Sequence, residues 1–94
     1  MLKITSNDRI ALLLGYPLRL TPNEHKILLI LSNERDRTFS YEELLALAFP
    51  FKTSITKNQL AVHVCNINKK ASEISGRQLI QNPHKNGYCF NPYF

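Results

Sequence analysis

Apolar and polar positions alternate at the start of the chain, and a two-residue period predicts short strands. Leu2-Lys3-Ile4-Thr5 alternates, Ser6-Asn7-Asp8 is a turn cluster, and Arg9 to Leu14 is a mostly apolar run. Gly15-Tyr16-Pro17 breaks that run before Leu18-Arg19-Leu20 alternates again, so a small antiparallel sheet is expected. The period then becomes helical. Thr21-Pro22-Asn23-Glu24 offers a capping threonine, a proline for the first helical position and a glutamate to complete a capping box. That helix carries Ile27, Leu28, Ile30 and Leu31 and frays into the charged stretch Ser32 to Arg37. Ser40-Tyr41-Glu42-Glu43 is a second capping box, followed by Leu44, Leu45, Leu47, Ala48 and Phe49, with Pro50 as the stop.

Thr56-Lys57-Asn58-Gln59 is a third box and opens a helix running to about Ser75, with Gly76 as its C-cap. Leu60, Val64, Ile67, Ala71 and Ile74 form one apolar stripe along it. Beyond Arg77, Leu79-Ile80 and Tyr88-Cys89-Phe90 read as strands flanking Pro83-His84-Lys85-Asn86-Gly87, where Asn-Gly is a favoured hairpin turn. The expected organisation is one α+β domain: strands over 1–20, a three-helix core over 21–76 and a hairpin over 77–94.

Composition narrows the function. A chain of 94 residues has room for one small domain, and binding therefore outranks catalysis. The longest apolar run, Ile10 to Leu14, is far short of the roughly 18–20 residues of a membrane span. Two cysteines without CxxC spacing fit a reduced, intracellular compartment. Charge is informative because it is uneven. Residues 1–51 hold six bases and six acids, whereas residues 52–94 hold six bases against Glu73 alone, so the whole +5 excess lies in the C-terminal half. Such a surface attracts polyanions, nucleic acid first and acidic membrane second, although +5 also simply keeps a small domain in solution.

Opposite the apolar stripe on the third helix, Gln59, His63, Asn66 and Lys70 are expected to recur at helical spacing, with Asn58, Val62 and Lys69 beside them, and this face is expected to decide the function. Amides suit adenine in the major groove, and Lys or His suits phosphate or guanine. His84 and Lys85 sit at the hairpin tip, within reach of a neighbouring groove or phosphate. Two short helices, a longer polar-faced helix and a basic hairpin together describe a winged helix-turn-helix.

Other chemistry finds little support. His63 and Cys65 are two apart on a helix and point in different directions, and no HxxxH pair, nucleophile elbow or glycine-rich phosphate loop occurs, so no metal, cofactor, small-molecule substrate or enzymatic activity is expected. Cys65 and Cys89 read as small half-buried residues. Phe39, Phe49, Phe51, Tyr88, Phe90, Tyr93 and Phe94 read as core and hairpin packing rather than a base-stacking platform.

The motifs also resemble a known family. Leu20-Thr21-Pro22-Asn23-Glu24 is similar to the L-T-P-x-E that opens the first helix of OmpR/PhoB-type winged-helix regulators, and Phe39-Ser40-Tyr41-Glu42-Glu43-Leu44-Leu45 to their V-S-R-E-E-L-L. The segment from Asn58 to Lys70 resembles their recognition helix, N-T-V-E-V-H-I-H-N-L-R-R-K, and Gly87-Tyr88 falls on the G-Y that closes their wing. The resemblance implies sequence-specific duplex DNA binding in bacterial transcription control, as paired or tandem protomers. The chain would then be cytoplasmic, or the cytoplasmic domain of a membrane-tethered regulator.

By position, Lys57, Asn58, Gln59, Val62, His63, Asn66, Asn68, Lys69 and Lys70 would form the DNA-binding helix face, with His63 on a phosphate. His84 or Lys85 would replace the wing arginine, and the loop from Phe49, Pro50, Phe51 and Lys52 to Ile55 would meet RNA polymerase or a neighbouring protomer. The chain departs from the pattern at His25, where a buried aromatic is usual, and at Asn66 and Asn68, which replace arginines. The loss of those arginines leaves three readings: a preference for A·T-rich sites, weak binding reinforced by dimerisation, or a winged-helix protein-interaction module.

Overall fold

Three helices begin with the same local device in a computed structural model that describes residues 2–6, 8–51 and 55–92. Helix α1 (Pro22–Asn33) is capped by Thr21, α2 (Tyr41–Ala48) by Ser40 and α3 (Lys57–Ser75) by Thr56. In each, the cap hydroxyl accepts the N–H three residues on, and the Glu24, Glu43 or Gln59 side chain accepts the cap residue's own N–H. Each box satisfies two N–H groups that a helix start otherwise leaves unpaired. Helix α3 closes on Gly76 in the left-handed conformation, as expected.

The first sheet has the order β1-β2-β3, from Leu2–Ile4, Ala11–Leu13 and Tyr16–Pro17. Its last hairpin differs from the expected break at Gly15 to Pro17. Leu13 pairs with Tyr16, so Leu14 and Gly15 form a two-residue turn, and their φ values of 53° and 84° are those of a type I′ turn. The third strand thus starts at Tyr16, and only the Leu18 N–H, bonded to the Ala11 carbonyl at 2.8 Å, continues the pairing toward Leu20.

The second sheet has the order β4-β6-β5, from Thr38–Phe39, Tyr88–Phe90 and Ile80–Gln81. Strand β4 adds an element that the chain's periodicity did not predict. Between β5 and β6 the chain makes a short 3₁₀ turn at Pro83–Lys85, so the Asn86-Gly87 pair is not the tight hairpin turn expected. Gly87 is needed for a different reason: a Cβ there would collide with the Phe39 carbonyl group.

Leu13, Ile27, Leu28, Leu31, Leu44, Leu60, Ile67 and Leu79 form a continuous core that joins the first sheet to all three helices. Phe39 and Phe90 extend it into the second sheet, where the Arg37 and Arg35 guanidinium groups lie over their rings at 4.3 and 4.7 Å. The charged stretch after α1 therefore covers aromatic surface. His25 is buried, and its Nε2 lies 2.6 Å from the Thr5 carbonyl, tying α1 to the chain after β1. A hydrogen bond thus takes the place of simple aromatic packing at that position. Phe51 departs from the packing expectation, with 97% of its surface exposed, while Tyr93 and Phe94 lie outside the described residues.

Candidate nucleic-acid interface

The apolar stripe of α3 sets which way every other side chain on it points. Leu60, Val64, Ile67 and Ala71 are buried, so successive steps of about 100° place Asn58, Val62, Cys65 and Lys69 on the opposite side. All four are exposed, as are Ala61 and Asn66 on the margins. The row Gln59, His63, Asn66 and Lys70, expected opposite the stripe, lies instead about a quarter turn away, along the flank that meets α1 and the end of α2.

Three of the four side chains in that row have partners inside the domain, and Asn66 remains exposed. Gln59 completes the cap of its own helix. The His63 ring lies beside Phe49, with centroids 6.2 Å apart, and is half-buried. Lys70 Nζ lies 2.6 Å from Glu24 Oε1, a carboxylate whose side chain is only 3% exposed and which also accepts the Thr21 N–H. Lys70 therefore balances a buried charge, whereas the resemblance places it on the DNA-binding helix face.

Asn68 needs a similar correction. Its Oδ1 accepts the N–H groups of Leu79 and Ile80 at 3.0 and 2.9 Å, and its Nδ2 donates to the Ile80 carbonyl at 3.0 Å. Its amide is thus committed to the backbone that leads into β5. Lys57 remains exposed but sits 3.4 Å from Glu42 and over the Tyr41 ring. The Glu42 backbone N–H, with Lys57 adding to it, holds that carboxyl below its ordinary value.

The outward face that remains is nearly uncharged. Lys69 is its cation, and no carboxylate partners it among the described residues. Glu73, one turn further on, is also exposed and carries the opposite charge. Ala61 and Cys65 belong to this face and were not among the expected site residues. The angle opposite the apolar stripe was the signal that identifies them. Cys65 is exposed rather than half-buried, and Cys89 is intermediate.

The wing is fixed from α2. Tyr41 Oη donates to the Lys85 carbonyl at 2.8 Å, with Asn82 Oδ1 at 3.2 Å as the alternative acceptor, and its ring tilts against Tyr88 at 5.3 Å. Burial, and secondarily Tyr41, pushes the Tyr88 phenol up. Lys85 has a φ of 57° and an exposed side chain, and His84 shares its 3₁₀ turn.

Around the loop after α2, Lys26, Leu29, Ile30, Leu47, Ala48, Pro50 and Phe51 line a shallow apolar groove. Lys52 lies outside the described residues. Among those described, no group of His, Cys, Asp and Glu could hold a metal, and no helix is long and apolar enough to cross a membrane.

Two antiparallel sheets framing three helices, with the longest helix exposed on one face and a short wing held against the start of α2, define a winged-helix DNA-binding domain. Residues 15–90 match the family described as "Transcriptional regulatory protein, C terminal", and the chain belongs to that family, the OmpR/PhoB-type DNA-binding domain of transcription regulators.

The fold is similar to that of the response regulator AdeR DNA-binding domain, solved in complex with an intercistronic region, with a TM-score of 0.84 at 21% identity over 96% of this chain and 93% of that one. It is also similar to the C-terminal DNA-binding domain of RstA from Klebsiella pneumoniae, with a TM-score of 0.81 at 20% identity over 98% and 84% of the two chains. A streptococcal redox sensor evolved from two-component response regulators matches with a TM-score of 0.83 at 18% identity, and this chain, 96% covered, spans 39% of that protein. No curated protein sequence matches the chain.

Proposed function

We propose that this domain binds duplex DNA sequence-specifically in bacterial transcription control, with α3 in the major groove and the 83–87 wing at the flanking groove. The observation that carries this reading is the exposed face of α3 from Asn58 to Lys69, which no element among the described residues covers and which presents amides and a lysine without a described partner. A 19-residue helix is about 28 Å long and fits a groove about 12 Å wide. Lys69 and Lys85 would meet phosphates, and Lys57 would join them by exchanging Glu42 for a phosphate. Asn58 and Asn66 would meet adenine edges.

Family membership supports the partner class, and the even charge of the first half of the chain supports a C-terminal contact surface. The setting is the cytoplasm, and with so few phosphate contacts per protomer, paired or tandem protomers on DNA would supply the remaining affinity.

Fluorescence anisotropy on labelled random and A·T-rich duplexes, at about 50 and 200 mM salt, tests this. Two to four phosphate contacts predict an affinity loss of roughly 10- to 150-fold over that range, with a residual preference for one duplex at the higher salt. No binding at the lower salt would sink the reading.

Phe51 and Leu47, 97% and 53% exposed beside the apolar groove, favour a second reading in which that face docks RNA polymerase or a partner regulator. A stoichiometric protein partner that resists nuclease and is lost with Phe51→Ser would support it.

A further inference from the structure

We infer that base readout by this domain is centred on Val62 packing against thymine C5-methyl groups. The inference rests on the placement of α3 in the major groove proposed above and identifies the bases that the helix reads there.

Val62 is 57% exposed at the middle of the outward face, with Ala61 and Cys65 beside it and Asn58, Asn66 and Lys69 around them. A β-branched side chain gives a helix surface no intrinsic support, because its χ1 freedom is lost without any packing in return. Neither Ala61 nor Cys65 can donate a strong hydrogen bond to a base edge. No arginine occurs anywhere on α3, so the commonest bidentate reader of guanine is missing from this helix. What the patch can complement is the one apolar group that the major groove displays, the thymine methyl, while an asparagine one turn away can pair with adenine N6 and N7. The nearly neutral face would otherwise desolvate guanine and cytosine edges without replacing their hydrogen bonds. Lys69 and the wing lysine then set the register on the backbone and carry no sequence information.

The probe is a duplex pool that the protein itself selects from a random library, re-amplified with either thymidine or deoxyuridine triphosphate. Deoxyuridine removes only the methyl and leaves every hydrogen-bonding group in place. The selected pool is expected to be enriched in A·T pairs, and its deoxyuridine form to bind about three- to tenfold more weakly, the scale of one or two buried methyl groups. Val62→Ala is expected to weaken binding to the thymine pool to the level of the deoxyuridine pool and to abolish the difference between them. Because Val62 is on the surface, this variant should keep the native urea midpoint.

Equal binding of the two pools by the native protein overturns the inference and leaves DNA binding intact. So does discrimination that survives Val62→Ala. A failure to bind any duplex at low salt removes the major-groove placement of α3, and the inference falls with it.

Discussion

Asn66 and Asn68 share one helix and one chemistry, as do Lys69 and Lys70, yet each pair divides between two jobs. Asn66 and Lys69 have no partner within the domain's described contacts and face outward. Asn68 and Lys70 reach elements far away in sequence, Asn68 the backbone of Leu79 and Ile80 and Lys70 the buried carboxylate of Glu24. A polar helix residue is therefore assigned by its angle to the apolar stripe, not by its type. The C-terminal half's positive charge is correspondingly less available than its count suggests, because Lys70 is spent on an internal carboxylate and Lys57 shares Glu42.

The largest effect expected from breaking this division is at the asparagines. Asn68→Ala strands two N–H groups and a carbonyl in a half-buried setting, at a cost of about 2–4 kcal/mol given that some regain water. Asn66→Ala, on the exposed face, should stay within about 0.5 kcal/mol of the native protein. Urea denaturation measures both, and equal midpoints for the two variants would show that the Asn68 bonds do not hold β5 in place.

The lysines should separate less widely. Lys70→Met leaves the Glu24 carboxylate buried with only the Thr21 N–H for support. A fully buried pair broken in this way costs about 3–5 kcal/mol, but the Lys70 side chain is 33% exposed and water relieves part of the loss, so about 1–2 kcal/mol is expected. Adding Glu24→Gln should recover most of that, because glutamine still accepts the Thr21 N–H and buries no charge. Lys69→Met should leave the urea midpoint in place and instead lower the salt slope of DNA binding by about 0.9. A drop in slope for Lys70→Met of the same size, without destabilisation, would reverse the assignment.

The sequence made the helix starts legible because a capping box is a relation between residues three apart, visible without any tertiary structure. It also made the apolar stripe of α3 legible, although the row Gln59, His63, Asn66 and Lys70 reads there as the opposite face when the true outward angle holds Asn58, Val62, Cys65 and Lys69. What remained hidden depended on distant partners. Strand β4 is two residues long and exists only because Thr38 and Phe39 pair with Cys89 and Tyr88. Lys70 looks like any surface lysine until Glu24, 46 positions away, is placed against it. The Asn86-Gly87 pair suggested a turn, whereas Gly87 is required by the nearby Phe39 carbonyl, a constraint set by that same unforeseen strand.

The smallest effect expected follows from a difference between the helix starts themselves. Helix α2 completes its capping box with Glu43, which can titrate, and α3 with Gln59, which cannot. The Ser40 backbone N–H holds the Glu43 carboxyl below its ordinary value, with the Arg37 guanidinium adding to the effect and desolvation opposing it. A depressed folded value means that the unfolded chain takes up the proton first as acid is added. The stability linked to this carboxyl is thus fully present above the ordinary carboxylate range and is lost as pH falls through the lower folded value. Glu43→Gln should be less stable than the native protein at neutral pH, because it loses the charge that meets Arg37 and the helix start. The gap should close as pH falls below the ordinary carboxylate range, once the native carboxyl is protonated as well. Gln59→Glu should do the reverse and give the start of α3 the acid sensitivity that α2 already has. Urea midpoints followed across this pH range would decide the matter, and a gap between native and Glu43→Gln that stays constant into acid would mean that the α2 cap works through geometry alone, as the α3 cap does.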